Sequence, residues 1–276
     1  MVAWRTRPLA LALVVAAGCT SPSSPSLLLP ISSAAEGASD REGAAVTGTA
    51  QATAPGELDR DFADSDERRA QREALVEGAI APAVEDERII EAFRRVPRHA
   101  FVPTDVVDRA YGDFPLPIEA GQTISQPSLV ARMTELVEIA AGDRVLEVGT
   151  GSGFQAAILR QLTDQVYSVE IVPELSEIAM AVLERLGYDD VEVERRDGYL
   201  GWPEAAPFDA IVVTAAPDHL PRPLVDHLSP DGGRMVIPIG PVGDVQTLWL
   251  VTRNGEEVAM EEVVPVQFVP LTREEP

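Results

Sequence analysis

Eleven consecutive residues constrain the fold more than any others: Arg144-Val145-Leu146-Glu147-Val148-Gly149-Thr150-Gly151-Ser152-Gly153-Phe154. An apolar run closes on a carboxylate, a glycine-rich turn follows, and an apolar-periodic segment opens at Phe154 and continues through Ala157, Ile158 and Leu162. The pattern predicts a strand that feeds a helix through a tight turn. Glycine at alternate positions lets the backbone bend sharply and lets a ligand reach amides that side chains would otherwise cover, and the helix N-terminus adds unpaired N–H groups. Such a turn is a cradle for a nucleotide-type cofactor. It needs its glycines even when nothing binds there, so the spacing by itself leaves both readings open.

Downstream, strand and helix signals alternate. Residues 165–170 predict a strand ending in Glu170, and 173–186 a helix with Leu175, Ile178, Ala179, Val182 and Leu183 inward and Gly187 as its stop. Residues 191–194 predict a third strand leading to Asp197-Gly198, 208–214 an apolar strand suited to the centre of a parallel sheet, and 220–228 a helix. A further strand is predicted over 233–239, then a hairpin of 245–253 with 257–264 around Asn254-Gly255. The expected fold class is α/β, a doubly wound, mostly parallel sheet with an antiparallel C-terminal edge. In such sheets ligands bind beyond the carboxyl ends of the strands, where the strand order reverses. Glu147, Gly149, Glu170, Asp197 and Thr214 all fall at or near those ends.

Ahead of the turn, residues 69–78 and 85–95 predict two short helices, the second stopped by Pro97. Residues 111–126 are rich in Pro and Gly and lack periodicity, which predicts a long loop, and long ordered loops are often functional. A helix is expected from Gln126, with Val130, Met133, Leu136 and Val137 on one face. Residues 1–19 read as an export signal: Arg5 and Arg7, an apolar core over 9–17 too short to span a bilayer, and Ala16-Ala17-Gly18 before Cys19. Residues 20–66, rich in Ser, Pro, Ala, Gly and acids, are expected to be a solvated tether. The catalytic domain is then 67–276, and the 45% hydrophobic content of the chain is enough to give it a core.

The formal net charge of -23 argues against a nucleic-acid partner, because phosphate binding needs a basic surface. A single cysteine excludes an intrachain disulfide and a cysteine-based metal cluster. His99, His219 and His227 form no recognisable triad or metal spacing, so no metal is expected. Glu170 can accept from ribose hydroxyls, which fits NAD as well as S-adenosylmethionine. Glu147, inside the strand–turn junction, is a costly buried acid unless it meets a cation or a donor. Asp197-Gly198 can accept from an adenine amine or can simply make a turn.

The run Glu147-Val148-Gly149-Thr150-Gly151-Ser152-Gly153 resembles the first motif of S-adenosylmethionine-dependent methyltransferases. Together with Gly121-Gln122-Thr123-Ile124-Ser125-Gln126-Pro127, residues 208–216 and Phe268-Val269-Pro270-Leu271, the chain from about residue 69 to its end resembles the protein-L-isoaspartate O-methyltransferase family. The resemblance implies S-adenosyl-L-methionine as cofactor and Ser125 as the active-site serine. It further implies a loop formed by Gln122, Thr123, Ile124 and Ser125 that closes over the cofactor. Glu147 with Gly149, Gly151 and Gly153 would serve the methionine moiety, Glu170 the ribose, Asp197 and Gly198 the adenine, and Thr272 a position near the cofactor. Arg196 departs from the family's usual glycine before Asp-Gly, and its side chain either crowds the adenine pocket or points to solvent.

The implied substrate is the side-arm carboxylate of an isoaspartyl residue in a damaged protein or peptide. That group is ionised at neutral pH and needs no general base. Ser125 is expected to orient it by donating a hydrogen bond; a second reading makes Ser125 the N-cap of the helix at Gln126. Two alternatives stay open, a methyltransferase acting on another carboxylate and a lipid-tethered module that binds without turnover. The signal resembles that of a bacterial lipoprotein, which implies a cell-envelope address through lipidated Cys19. The family and its cytoplasmic donor imply the cytoplasm instead.

Overall fold

The computed structural model describes residues 64–273, so the signal, its Cys19 and nearly all of the tether lie outside the described residues. Helix α1, Asp66–Leu75, starts where the Ser65 side chain accepts from the Arg68 amide, and it runs on through a π turn at Val76–Ile80. Helix α2, Glu87–Arg95, is capped by Asp86 and buries Ile89, Ile90, Ala92 and Phe93. The segment expected to be a loop holds instead a small hairpin, β1 Leu116–Pro117 against β2 Thr123–Ile124. Strands two residues long leave no alternation to read, which is why the sequence shows only its Pro and Gly.

Helix α3, Pro127–Leu136, does not use Ser125 as its cap. Gln126 holds the N-cap position, and Asp113 accepts from the Ser128 amide at 2.9 Å and from the Ser128 hydroxyl at 2.8 Å. The anion that a helix N-terminus favours is therefore supplied from within the chain.

Strand β3, Arg144–Val148, leads through the glycine turn into α4, Phe154–Arg160. There follow β4, Gln165–Glu170; α5, Pro173–Arg185; β5, Glu192–Arg195; and β6, Ala210–Val213. Helix α6, Arg222–His227, precedes β7, Asp231–Ile239, β8, Gln246–Asn254, and β9, Glu257–Val266. The seven-stranded sheet has the order β5-β4-β3-β6-β7-β8-β9, parallel from β5 to β7 and antiparallel at β8 and β9. The order runs one way from β3 to β5 and resumes on the other side of β3 at β6, so the switch point lies between β3 and β6.

Both faces of the sheet are covered. Val145, Val166 and Val212 belong to the apolar cluster with the N-terminal helices, α4 and α5, whereas Leu146, Val148, Val169 and Ile211 belong to the cluster with α6. All four residues of β6 are fully buried, as the unbroken apolar run predicts for a central parallel strand. Phe154 ties the glycine turn to the N-terminal helices: its ring meets Phe93 and Phe101 edge-on at 5.8 and 5.6 Å, and the Arg98 guanidinium lies 5.0 Å above it.

Candidate active site

At the switch point the carboxyl ends of β3, β4 and β6 open into a cleft that is partly open to solvent, the place where ligands bind in such sheets. Val148, Gly149 and Gly151 line it from the first strand and its turn, Val169 to Val172 from the second, Thr214 and Ala215 from the third. Gln122 and Thr123 reach it from the small hairpin, Gly198 from the turn after β5, and Val269, Pro270, Leu271 and Thr272 from the segment after β9. Of the residues expected from sequence, Gln122, Thr123, Gly149, Gly151, Glu170, Gly198 and Thr272 thus converge on one space.

The glycines do different work. Gly149 has φ +99°, and a Cβ there would stand 2.5 Å from Thr214 Oγ1, whose hydroxyl donates to the carbonyls of Val148 and Gly149 at 3.0 and 2.7 Å. Gly149→Val is therefore expected to cost about 2–5 kcal/mol through backbone strain and overpacking, seen as a lower thermal midpoint together with loss of ligand binding. A Cβ on Gly151 would meet nothing closer than Ile118 at 3.7 Å, so this residue leaves the floor of the cleft open. Gly153 packs against Leu183 and Ala179 and does not line the cleft. A Cβ on Gly198 would lie 2.6 Å from Val148 Cγ1, so only glycine permits that approach.

Four of the turn's amides are engaged within the protein and are not free for a ligand, which leaves the cradle expected from spacing with few donors. Gly149 and Thr150 donate to the Val169 carbonyl at 2.9 and 3.2 Å, Gly153 to the Thr150 carbonyl at 2.8 Å, and Gly151 to Glu170 Oε2 at 2.8 Å. With those donors engaged, the turn is poorly suited to a pyrophosphate and leaves shape and the acid as its means of recognition. Glu170, 6% exposed, also accepts from the Val172 amide at 3.0 Å through Oε1, so backbone bonds fix its carboxylate at the rim of the cleft.

Glu147 sits behind the cleft and not in it. Its carboxyl is fully buried on the other face of β3, where Oε2 accepts from Ser168 at 2.5 Å, Ser168 pairs with Thr150 at 2.6 Å, and Oε1 has no protein partner. Burial, opposed by the Ser168 bond and reinforced by the Glu170 charge, pushes its pKa from 4.5 up to about 8. The residue alternation along β3 aims it at the helix side, away from the face of Leu146 and Val148.

Asp197 is 7% exposed and sits just behind Gly198. Oδ1 accepts from the Tyr199 amide at 2.9 Å, and Oδ2 takes the Arg273 guanidinium at 3.2 Å. Arg196 turns the other way, pairing with Glu194 and Glu204 at 2.8 Å and lying 5.0 Å over the Trp202 ring, so it does not crowd the cleft. Ile124 is buried beneath the hairpin. Ser125, half-buried, follows two residues after Thr123, and its hydroxyl makes no hydrogen bond to the described residues.

Sequence reasoning missed the apolar wall of Val148, Val169 and Ile171, because strand residues read as core, and it missed Arg273. An apolar wall beside a fixed acid and a glycine floor accommodates an aromatic base with its ribose, the chemistry of an adenosyl group.

Comparison with known proteins gives a consistent set. The model of the family described as protein-L-isoaspartate(D-aspartate) O-methyltransferase matches residues 70–276. The chain is similar to a protein-L-isoaspartate O-methyltransferase of Opitutus terrae, 51% identical over 210 residues, which are 76% of this chain and 90% of that one. A second relative of that name, from Gloeobacter violaceus, is 49% identical over 203 residues, 73% of this chain and 98% of that one. A solved protein-L-isoaspartate O-methyltransferase superposes with a TM-score of 0.67 at 32% identity, covering 72% of this chain and 65% of that one. A Plasmodium falciparum chain solved in complex with S-adenosyl-L-homocysteine gives 0.63 at 25% identity, covering 75% and 99%.

Proposed function

Because the chain belongs to the protein-L-isoaspartate(D-aspartate) O-methyltransferase family, we propose a division of labour among its residues that rests on one observation, the convergence of seven expected positions on the switch-point cleft. The protein is an S-adenosylmethionine-dependent carboxyl O-methyltransferase that acts on isoaspartyl residues of damaged proteins and so starts their repair. The cofactor supplies a sulfonium-bound methyl group to a carboxylate that is already ionised, so no general base is required. The protein's task is to exclude water and to align two groups of opposite charge.

In this reading Glu170 accepts from the ribose hydroxyls, Gly198 and the wall of Val148 and Val169 flank the adenine, and Gly149 and Gly151 leave room for the methionine arm. Gln122, Thr123 and Thr272 close the cleft from above. Glu147 keeps the turn in shape from behind through Ser168 and Thr150. Asp197 acts through the Tyr199 amide, holding the turn that carries Gly198. Ser125 has a hydroxyl free to donate to the substrate carboxylate and hold one oxygen in line. Ser125→Ala is expected to lower kcat about 10- to 100-fold, in keeping with the loss of one positioning hydrogen bond, with the affinity for S-adenosylmethionine unchanged. Equal losses in cofactor affinity and kcat would assign Ser125 to the cofactor instead.

The N-terminal segment suggests an address for this domain. The sequence of residues 1–19, with small residues ahead of Cys19, supports export and attachment to a membrane through the lipidated cysteine. The residues from 20 to the start of α1 then supply the tether. Full-length protein made in a bacterial host with labelled fatty acid is expected to carry the label and to sediment with membranes, and Cys19→Ser to do neither. A soluble, unlabelled, full-length product would place the enzyme with its donor in the cytoplasm.

A further inference from the structure

The segment that follows β9 crosses the mouth of the cleft, and its two ends are held by different means. Residues 268–271 are held through their main chain: the Phe268 amide donates to the side-chain Oε1 of the buried Gln246 at 2.8 Å, the Ala216 amide donates to the Val269 carbonyl at 2.8 Å, and the Leu271 amide donates to the Ala216 carbonyl at 2.9 Å. Its far end is held by a side chain. Arg273 Nε meets Asp197 Oδ2 at 3.2 Å, and the guanidinium lies 3.9 Å from the centre of the Tyr199 ring. That ring is itself braced, with its hydroxyl 2.8 Å from His219 Nε2 and His219 Nδ1 2.5 Å from Asp218. Val269, Pro270 and Leu271, in the held part, and Thr272, between it and Arg273, form one wall of the cleft.

We propose that Arg273 is a latch: it pins the end of the wall, at Thr272, beside the cofactor cleft and thereby sets how long the cofactor and its demethylated product stay bound. The latch deepens the reading of this cleft as the S-adenosylmethionine site and rests on it. An exposed ion pair alone contributes little, but this one joins a guanidinium to a carboxylate that is 93% buried and adds contact with an aromatic face. With Phe268 held to Gln246 and with Val269 and Leu271 held to Ala216, the part of the wall left to move is Thr272, and Arg273 is the contact that releases it. The arginine that matters at this end of the site is thus Arg273, while Arg196, adjacent to Asp197 in sequence, faces away. Arg273 acts through Thr272 and is a positioning residue.

The test uses full-length wild-type, Arg273→Ala and Arg273→Lys proteins, with S-adenosylhomocysteine binding followed by calorimetry and stopped-flow and with turnover measured at varied S-adenosylmethionine. Arg273→Ala is expected to raise the dissociation rate, the Kd and the KM for the donor by about tenfold, with kcat changed by less than KM. Arg273→Lys keeps the charge and loses the planar stacking, and is expected to recover part of the loss. Added salt should speed dissociation from the wild type and leave Arg273→Ala nearly unaffected. A dissociation rate in Arg273→Ala equal to that of the wild type overturns the latch alone. A wild-type protein that binds no S-adenosylhomocysteine overturns the reading of the cleft beneath it.

Discussion

Replacing Glu147 by glutamine is expected to remove a loss of stability that the wild-type chain suffers between about pH 4.5 and pH 8. The unfolded chain gives up this proton near 4.5, whereas the folded chain, with the carboxyl fully buried, keeps it until about pH 8. Within that window the folded state binds more protons, so stability is fully present below the unfolded pKa and falls as pH rises, by at most roughly 1.4 kcal/mol per pH unit. Burial lowers the pKa of His99 and His227, and these contribute with the opposite sign, gaining stability as pH rises through the unfolded histidine range. The difference between wild type and Glu147→Gln therefore isolates Glu147. Urea unfolding at several pH values should show the variant gaining on the wild type by a few kcal/mol by pH 8, on the order of the shift. Parallel curves would mean that Glu147 is ionised in the fold and is held there by a cation or a second donor.

Glu170→Ala is expected to damage both the fold of the glycine turn and the binding of the cofactor. The carboxylate is the acceptor for the Gly151 and Val172 amides, at 2.8 and 3.0 Å, and it is 6% exposed. Removing it leaves two part-buried donors unpaired, at about 1 kcal/mol each. The same substitution removes the ribose acceptor, and the combined effect on S-adenosylmethionine affinity should be at least about 100-fold, from two charge-assisted hydrogen bonds. Glu170→Gln keeps one acceptor oxygen and should fall between. Calorimetric titration with S-adenosylhomocysteine and a thermal melt on the same samples separate the two effects. An unchanged melt with lost binding would confine Glu170 to the ribose, and unchanged binding would remove it from the site.

The elements the sequence predicts best include the strands that flank β3 at the centre of the sheet. Strand β4 matches the expectation at both ends, and β6 shows its central position through an unbroken apolar run. Gly187, at φ +79°, ends α5 as its position predicts. The acid and glycine positions of the cleft were legible because strand ends and tight turns demand particular residue types.

What was not legible depends on which way a side chain points. Glu147 is one residue from the cleft-lining Val148, yet alternation along β3 sends it to the opposite face, and nothing local in the sequence says which face carries the ligand. Ser125 looks like a helix cap until Asp113, 12 residues earlier, is found in that role. Arg273 gains its meaning only when the chain end returns to Asp197, 76 residues away in sequence, and no periodicity encodes such a return.

The decisive measurement incubates the full-length chain with radiolabelled S-adenosylmethionine and two peptides that differ only in aspartate against isoaspartate. Base-labile label on the isoaspartyl peptide alone is the expected result, as a methyl ester on the side-arm carboxylate requires. Equal label on both peptides, or none on the isoaspartyl one from protein that binds the cofactor, would contradict the assignment of this cleft to isoaspartyl carboxylates.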